Sequence, residues 1–201
     1  MIKLNKYMQI EYIALQDIFT NDGQSDLPAN PRNIKDEKFK KLVLSVLMFP
    51  RMLELRPIVL NADNVILGGN MRFSALSEIA TYSLSIIKNK ICRRKNFKTK
   101  PEEERKAIMA YWCEYLKESK APVVRADKLS LEEQKEFIIK DNSSFGEWDW
   151  DILVDEWDSS LLDEWGVDLW QLEEQEGKTE QTAKDSLESD TNNEGDDDEA
   201  S

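Results

Sequence analysis

The spacing of apolar residues in the first part of the chain predicts a strand, a loop and a helix. Four apolar residues in QIEYIALQDI indicate a short strand, which leads into FTNDGQSDLPANPRN, a stretch dense in turn-forming residues. In DEKFKKLVLSVLMF the apolar residues recur at helical spacing, which predicts an amphipathic helix with one buried face. The apolar positions are Ile10, Ile13, Leu15 and Ile18 in the strand and Phe39, Leu42, Val43, Val46 and Leu47 in the helix.

A strand pair and a second helix follow. The segment RPIVLNADNVILGG predicts strands at 57–60 and 65–67, joined by a turn. After the paired glycines a helix is predicted to begin at Asn70 or Met71. The inner face of this helix is predicted to carry Phe73, Leu76, Ile79 and Ala80.

The segment 81–120 is interpreted as an insertion with a basic edge. Its stretch IIKNKICRRKNFKTK contains seven cationic residues and no acid. Thr99 and Glu102 predict a capping box for a helix from residue 101 to about residue 117. A strand in APVVRADKLS and a helix in LEEQKEFIIK, capped by Ser130 and Glu133, are predicted next. The body is therefore expected to cover residues 1–142.

Charge is segregated along the chain. From Met1 to Lys140, 25 Lys and Arg residues stand against 18 Asp and Glu, a net charge of +7, whereas from Asp141 to Ser201 the counts are 2 and 22, a net charge of −20. Such asymmetry is typical of nucleic-acid association or of an acidic interaction tail, and a tail that only aids solubility is the alternative. Residues 173–201 hold almost no apolar side chains and are expected to be disordered.

Five of the six tryptophans lie in residues 143–172, an acidic segment that is predicted to be helical. Most of them fall near one helical face, with carboxylates between them. Three interpretations stay open: the tryptophans complete the core of the body, they dock on a partner enzyme, or the segment folds over the basic surface of the body and mimics a nucleic acid. The five residues are Trp148, Trp150, Trp157, Trp165 and Trp170.

Composition excludes several kinds of chemistry. The chain has no histidine, and its two cysteines, Cys92 and Cys113, form no CxxC motif. A zinc site of ordinary spacing and Ser-His or Cys-His catalysis are therefore not expected. No apolar run approaches the roughly 18 residues of a membrane span, and MIKLNKYMQI lacks the apolar core of a signal peptide. A cytoplasmic protein without membrane association is expected.

The segment ILGGNMRFSAL is the candidate binding motif. A strand ending at Gly68 and Gly69, followed by a helix from Asn70, brings unpaired N–H groups and the positive end of a helix dipole to one spot. Glycines let an anion approach the backbone, and Arg72 can add a bidentate guanidinium. Phosphate binding is therefore predicted. A structural turn is the alternative, because GxxxxGK[ST] and GxGxxG are both absent.

Three motifs in order resemble the N-terminal domain of the ParB and sulfiredoxin superfamily: NPRN, RPIVLNADNVILGGNMRFSAL and FIIKDN. The resemblance covers most of residues 1–142, and the segment 81–120 lies outside the common pattern. The tail further resembles ParB-like proteins carried by phages and mobile elements, often beside DNA methyltransferases. The resemblance implies an α+β domain with a small mixed sheet flanked by helices, followed here by an acidic C-terminal tail.

The resemblance also implies a set of site residues. A glycine-Arg box and a loop box bind nucleotide phosphates in this superfamily, and an acidic-Asn pair holds the nucleotide and its magnesium ion. Oxygen ligands of this type suit Mg²⁺, and CTP or ATP is the nucleotide expected. The matching residues here are Gly68, Gly69, Asn70 and Arg72 for the first box, Asn30, Pro31 and Arg32 for the second, and Asp141 and Asn142 for the pair.

The sequence departs from the superfamily pattern at two motifs. Asn70 stands where sulfiredoxins use a cysteine, so their ATP-dependent sulfinic acid repair is not expected. The acidic-Asn pair is followed by Ser143, Ser144 and Phe145 instead of the Arg of segregation ParB proteins, so nucleotide hydrolysis does not follow from binding. The acidic residues after Asn142 supply no helix-turn-helix domain, so a complete partition protein is not expected.

The first functional hypothesis is a nucleotide-binding, DNA-associated accessory protein of a phage or mobile element. In this hypothesis Arg93, Arg94 and Lys95 contact a DNA backbone, which would make binding salt dependent. A solvated loop is the alternative for this basic stretch. A homodimer and nucleoside triphosphatase activity are both left open.

Two other hypotheses belong to different classes. A metal-dependent DNA endonuclease would need convergent carboxylates, for which Asp141 with Glu54 or Glu78 are the candidates. A non-catalytic module would dock on a DNA-modifying enzyme through its tryptophan-rich segment.

Overall fold

A computed structural model describes residues 9–23, 27–29 and 36–143, together with Leu162 and Val167. The chain divides into two compact units, Met1–Glu147 and Trp148–Ser201. In the second unit, Leu162 is buried and its carbonyl accepts the N–H of Val167 at 2.9 Å. The predicted tryptophan-rich segment and acidic tail otherwise lie outside the described residues, and so does the loop 30–35.

The first unit contains a four-stranded sheet. Its strands are β1 (Glu11–Ala14), β2 (Ile58–Leu60), β3 (Ile66–Gly68) and β4 (Lys120–Arg125). They lie in the order β1-β4-β2-β3, in which β1 and β4 are antiparallel, β4 and β2 parallel, and β2 and β3 antiparallel. The predicted α+β class with a small mixed sheet is therefore confirmed.

Helices supply most of the remaining structure. The predicted helices after the first loop, after the glycines, from about residue 101 and at the end of the body are all present, whereas α2, α4 and α5 are helices that the apolar pattern did not predict. The helices are α1 (Asp36–Met48), α2 (Met52–Leu55), α3 (Asn70–Ala80), α4 (Leu84–Ile91), α5 (Lys95–Lys98), α6 (Glu102–Glu118) and α7 (Leu131–Asn142). Among the described residues, no helix is long and apolar enough to cross a membrane.

The first predicted strand is shorter in the structure. The chain leaves β1 after Ala14 and forms a 3₁₀ turn over Leu15–Asp17, where the N–H of Ile18 donates to the carbonyl of Leu15 at 3.2 Å. Ile18 is nevertheless buried, and Phe19 next to it forms an isolated parallel bridge with Val65. Of the four apolar positions, Ile18 is buried, Ile13 and Leu15 are half-buried, and Ile10 is exposed. The apolar pattern therefore located only part of the buried surface and did not reveal the change of backbone geometry.

The main core lies on one face of the sheet. Trp112 is fully buried and its Nε1–H donates to the carbonyl of Leu47 at 2.9 Å, while the Tyr115 hydroxyl donates to the carbonyl of Leu76 at 2.7 Å. A buried indole N–H or phenol needs such a partner, so these bonds fix α6 against α1 and α3. The segment 81–120 therefore forms part of the core, to which it contributes Ile87, Ile91, Phe97, Ile108, Trp112 and Tyr115.

A second, smaller core holds α7. Ile58 and Leu60 contribute to the main core, whereas Val59 between them packs with the second cluster, as strand alternation requires. The buried members of this second cluster are Leu27, Leu67 and Ile138. The sheet therefore carries helices on both faces.

One predicted capping box is confirmed and the other is wrong. Ser130 and Glu133 form the reciprocal pair at the start of α7, with the N–H of Ser130 donating to Glu133 Oε2 at 2.8 Å. At α6 the N-cap is Pro101, so Glu102 is the first helical residue and cannot reach back as a third-position acid. The Thr99 hydroxyl instead donates to the carbonyl of Asn96, in the preceding helix α5, at 3.1 Å.

Candidate functional site

The position of the paired glycines is set by the hairpin formed by β2 and β3. The Asn61 side-chain oxygen accepts the N–H groups of Asp63 at 3.0 Å and Val65 at 2.9 Å, which closes the turn between β2 and β3. Asn64 takes the left-handed conformation (φ 61°), a state that Asn tolerates better than most residues. The pairing then aligns Val59 of β2 with Gly68 at the end of β3.

Both glycines are required by close approach. A Cβ at Gly68 would lie 2.9 Å from Asp141 Oδ2 and 3.1 Å from Phe137 Cε1. A Cβ at Gly69 would lie 2.9 Å from Arg72 Nη2, and Gly69 also has φ +95°, which L side chains rarely adopt. A cation and a carboxylate therefore sit directly against the bare backbone of this turn.

Helix α3 begins directly after the paired glycines. Gly69 is the N-cap, and the N–H of Phe73 donates to the carbonyl of Gly69 at 3.0 Å. The N–H groups of Asn70, Met71 and Arg72 precede this first helical bond and have no intrahelical acceptor. The helix start predicted at Asn70 is confirmed. We name residues 68–72 the glycine turn.

Arg72 folds back over the glycine turn. Its Nη2 donates to the carbonyl of Pro57 at 3.4 Å, and its buried Nε–H has no acceptor among the described residues. Burial and the nearby charge of Arg56 lower the pKa of Arg72 from its ordinary value, while the Asp141 carboxylate opposes this shift. An arginine remains protonated despite such a shift. The turn therefore holds a desolvated cation with an unused donor, next to a second cation.

Asp141 and Asn142 end α7 and reach the glycine turn from the other face of the sheet. Ile138, one turn earlier, packs with Leu67 in the small core, which brings the end of α7 beside Gly68. The Asn142 amide donates to the carbonyl of Ile138 at 2.7 Å, so its oxygen remains as the available acceptor. Asp141, whose carboxylate touches the turn, is the better placed of the two.

A magnesium site at this position would depend on oxygens from outside the protein. Across the described parts of the chain, no three His, Cys, Asp or Glu residues are grouped so that they could hold a metal ion. Mg²⁺ in nucleotide sites is commonly bound by one or two carboxylates plus phosphate oxygens and water. The single Asp141 carboxylate at the turn fits an ion that arrives with a phosphate, and does not fit a free metal centre.

The residues predicted to contact DNA lie between α4 and the first residue of α5. Arg93, Arg94 and Lys95 are all exposed, and none forms an ion pair with another described residue. Arg94 also lines a cavity of about 280 Å³, together with Lys40, Lys90 and Glu78. Because Glu78 lies eight residues after Asn70 on α3, this cavity is about 12 Å along the helix axis from the glycine turn.

Other predicted site residues do not join the glycine turn in the described structure. Asn30, Pro31 and Arg32 fall in the loop 30–35, outside the described residues. The nuclease candidates Glu54 and Glu78 accept hydrogen bonds from tyrosine hydroxyls elsewhere, from Tyr12 at 2.6 Å and Tyr82 at 2.8 Å.

Three neighbours of the turn lie within the quoted motifs but had no predicted role in the site: Arg56, Pro57 and Phe137. The pairing of β2 with β3 carries the signal for the first two, because the residues before Ile58 must lie beside the end of β3. Phe137 lies four residues before Asp141, one helical turn away. Both side chains therefore lie on the same face of α7, and both approach Gly68.

The chain was compared with protein-family models and with curated protein sequences, and neither comparison gave a match. The assignment of the glycine turn therefore rests on its geometry and on the motif resemblance.

Proposed function

We propose that this chain binds the phosphates of a nucleoside triphosphate at the glycine turn and acts as an accessory protein in DNA transactions. The observation that carries the proposal is the Arg72 guanidinium, desolvated against Gly69 with an unused Nε–H. A buried charged donor without a partner is costly, and a phosphate oxygen would supply the missing acceptor.

The surrounding charges support an anion of more than one negative charge. Arg56 lies close enough to lower the pKa of Arg72, and the repulsion between the two cations would be relieved by an anion between them. The free amides at the start of α3 add the positive end of a helix dipole. Asp141 on the other side would repel a bare phosphate, which favours a phosphate that carries a cation.

Magnesium would balance this carboxylate. Asp141, and Asn142 next to it in the sequence, would hold an ion that neutralises the phosphates bound by Arg72. A bound Mg²⁺ supplies charge neutralisation for the phosphates. The protein groups position the phosphates against the backbone of the turn, which fits CTP and ATP equally because the two nucleotides differ only in the base.

Calorimetric titration with CTP, ATP and GTP, with and without Mg²⁺, tests the proposal. Arg72→Ala is expected to weaken nucleotide binding by about 10-fold or more, because a charge-assisted hydrogen bond is removed. Arg93→Ala removes the same charge at an exposed position and should leave nucleotide affinity unchanged. Asp141→Asn should abolish the magnesium dependence without abolishing binding. Absence of heat with all three nucleotides would reject the proposal.

The DNA role has its own test. The exposed Arg93, Arg94 and Lys95 should contact phosphates, so affinity for duplex DNA is expected to fall steeply as salt rises. Replacing all three by alanine should reduce the slope of log affinity against log salt by about 0.9 for each DNA phosphate that the protein no longer neutralises. Fluorescence anisotropy of labelled DNA measures this slope. Arg72→Ala serves as the control, and an unchanged slope in the triple variant would refute the assignment.

A further inference from the structure

A separate cavity opens between β1, α2, β4 and α6. Its volume is about 390 Å³, within the range of roughly 300 to 1,000 Å³ typical of small-molecule pockets. Three tyrosines from two elements line it: Tyr12 of β1 and Tyr111 and Tyr115 of α6. We name it the tyrosine cavity.

The aromatic wall of the tyrosine cavity is fixed by the core behind it. The Tyr111 and Trp112 rings meet edge to face with centroids 5.0 Å apart, and the Trp112 and Tyr115 rings do the same at 5.4 Å. The hydrogen bonds of Trp112 and Tyr115 to backbone carbonyls hold this stack in place. A ligand would therefore meet a preformed surface and would not have to order it.

The hydroxyls at this wall stay neutral. The hydrogen bond to Glu54 raises the pKa of Tyr12 to about 12, and burial raises the pKa of Tyr111 above its ordinary value. Of the described residues, none makes a hydrogen bond with the Tyr111 hydroxyl, which leaves it available to a ligand. The tyrosines thus line the cavity with aromatic rings, and the neutral Tyr111 hydroxyl is the one without a partner among the described residues.

The charge of the cavity comes from glutamates. Glu54 accepts from Tyr12 at 2.6 Å, and Glu118 pairs with Lys120 at 2.8 Å. Glu114, one helical turn before Glu118, has no ion pair or hydrogen bond within the described parts of the chain. Three carboxylates against one ammonium leave the cavity with an excess of negative charge.

We propose that the tyrosine cavity binds a small aliphatic cation whose head is an ammonium or a guanidinium group. Aromatic ring faces attract such heads, carboxylates accept their N–H donors, and the apolar ring edges suit an alkyl stem. The ligand proposed here is a cation, whereas the ligand proposed for the glycine turn is an anion, and the two sites share no residue. This inference therefore does not depend on nucleotide binding.

Titration of the full chain with agmatine and spermidine, followed by amide chemical shifts, tests this proposal. We expect saturable shifts in the segment 111–118 and around Glu54. Pentylurea, a neutral analogue of an alkylguanidinium, should cause none. Glu114→Gln should weaken binding by about fivefold, as expected for one exposed charge pair. Glu103→Gln removes the same charge on the same helix outside the cavity and should have less than about a twofold effect.

The aromatic contribution is separated by two variants at Tyr12. Tyr12→Phe keeps the ring and should retain most of the affinity, whereas Tyr12→Leu should lose severalfold because the ring face is removed. Binding of capped arginine without binding of agmatine would identify a peptide-borne guanidinium as the source of the same head group. The proposal is overturned if pentylurea binds as well as agmatine, or if Glu114→Gln and Glu103→Gln weaken binding equally.

Discussion

At the glycine turn the backbone itself forms the surface, whereas at the tyrosine cavity long side chains from four elements form it. At the first, a Cβ added at Gly68 or Gly69 would lie 2.9 Å from an atom of Asp141 or Arg72, and that side chain would have to move. The second encloses about 390 Å³ behind a stacked aromatic wall. The turn thus depends on the absence of side chains at its two glycines, whereas the cavity depends on the aromatic rings and carboxylates of its lining residues.

The largest effect is expected from removing the support of the cavity. Trp112→Ala should lower the free energy of unfolding by about 3 to 5 kcal/mol, since a fully buried aromatic side chain is removed. Urea denaturation followed by circular dichroism measures this change. Ile139→Ala, at an exposed position of α7, is the control and should stay within about 0.5 kcal/mol of the parent chain. A small loss of stability in Trp112→Ala would mean that the aromatic wall is not set by the core.

A smaller effect is expected when a methyl group is added to the glycine turn. Gly69→Ala places a Cβ at a left-handed position, 3.3 Å from the Ile58 Cα and 2.9 Å from Arg72 Nη2. We expect a loss of about 1 to 3 kcal/mol in the free energy of unfolding. Nucleotide affinity should fall with it, because Arg72 must move.

Ser74→Ala on the same helix serves as the matched control for Gly69→Ala. Its exposed side chain donates to the backbone carbonyl of Asn70, and its removal adds no atom to the turn. Equal nucleotide affinity in the Gly69→Ala variant and the parent would contradict the conclusion that the turn depends on exposed backbone at Gly69.

The smallest effect concerns alkaline pH at the tyrosine cavity. The folded-state pKa of Tyr12 is raised to about 12, so the unfolded chain loses this proton first as the pH rises. Stability from this group is complete below about pH 10, the ordinary tyrosine pKa, and is lost between there and about pH 12. Tyr12→Phe should therefore show a shallower loss of stability from pH 9 to pH 11 in urea titrations. Parallel pH curves for the two chains would contradict the hydrogen bond between Tyr12 and Glu54.

Much of the fold followed from local patterns in the sequence. Helical spacing predicted the buried face of α1, and the serine and glutamate at the start of α7 predicted its cap, because both depend on neighbours within one element. The helices α2, α4 and α5 and the 3₁₀ turn after β1 were missed. All but α4 span four residues or fewer, which is too short for a periodic signal. The eight residues of α4 carry two lysines in the last turn, and they were interpreted as part of a basic edge.

The candidate sites could be predicted in part. ILGGNMR marked the turn, but the hydrogen bond between Arg72 and the Pro57 carbonyl depends on strand pairing, and the approach of Asp141 depends on the packing of α7. For the tyrosine cavity, the sequence indicated only the residues that α6 contributes. Tyr111, Glu114, Tyr115 and Glu118 recur at helical spacing on α6, while the other half comes from distant elements.

The small core under α7 has a consequence for the order in which the protein opens. Three buried residues, Leu27, Leu67 and Ile138, form that core, against twenty in the cluster on the opposite face of the sheet. Segments with few apolar neighbours open locally at lower free energy than the rest of a domain. We expect the amides of α7 to exchange with deuterium before those of α3 and α6. Such opening would withdraw Asp141 from the turn while Arg72 stays in place, so the turn would alternate between a form in which a carboxylate offsets part of its positive charge and a fully cationic form.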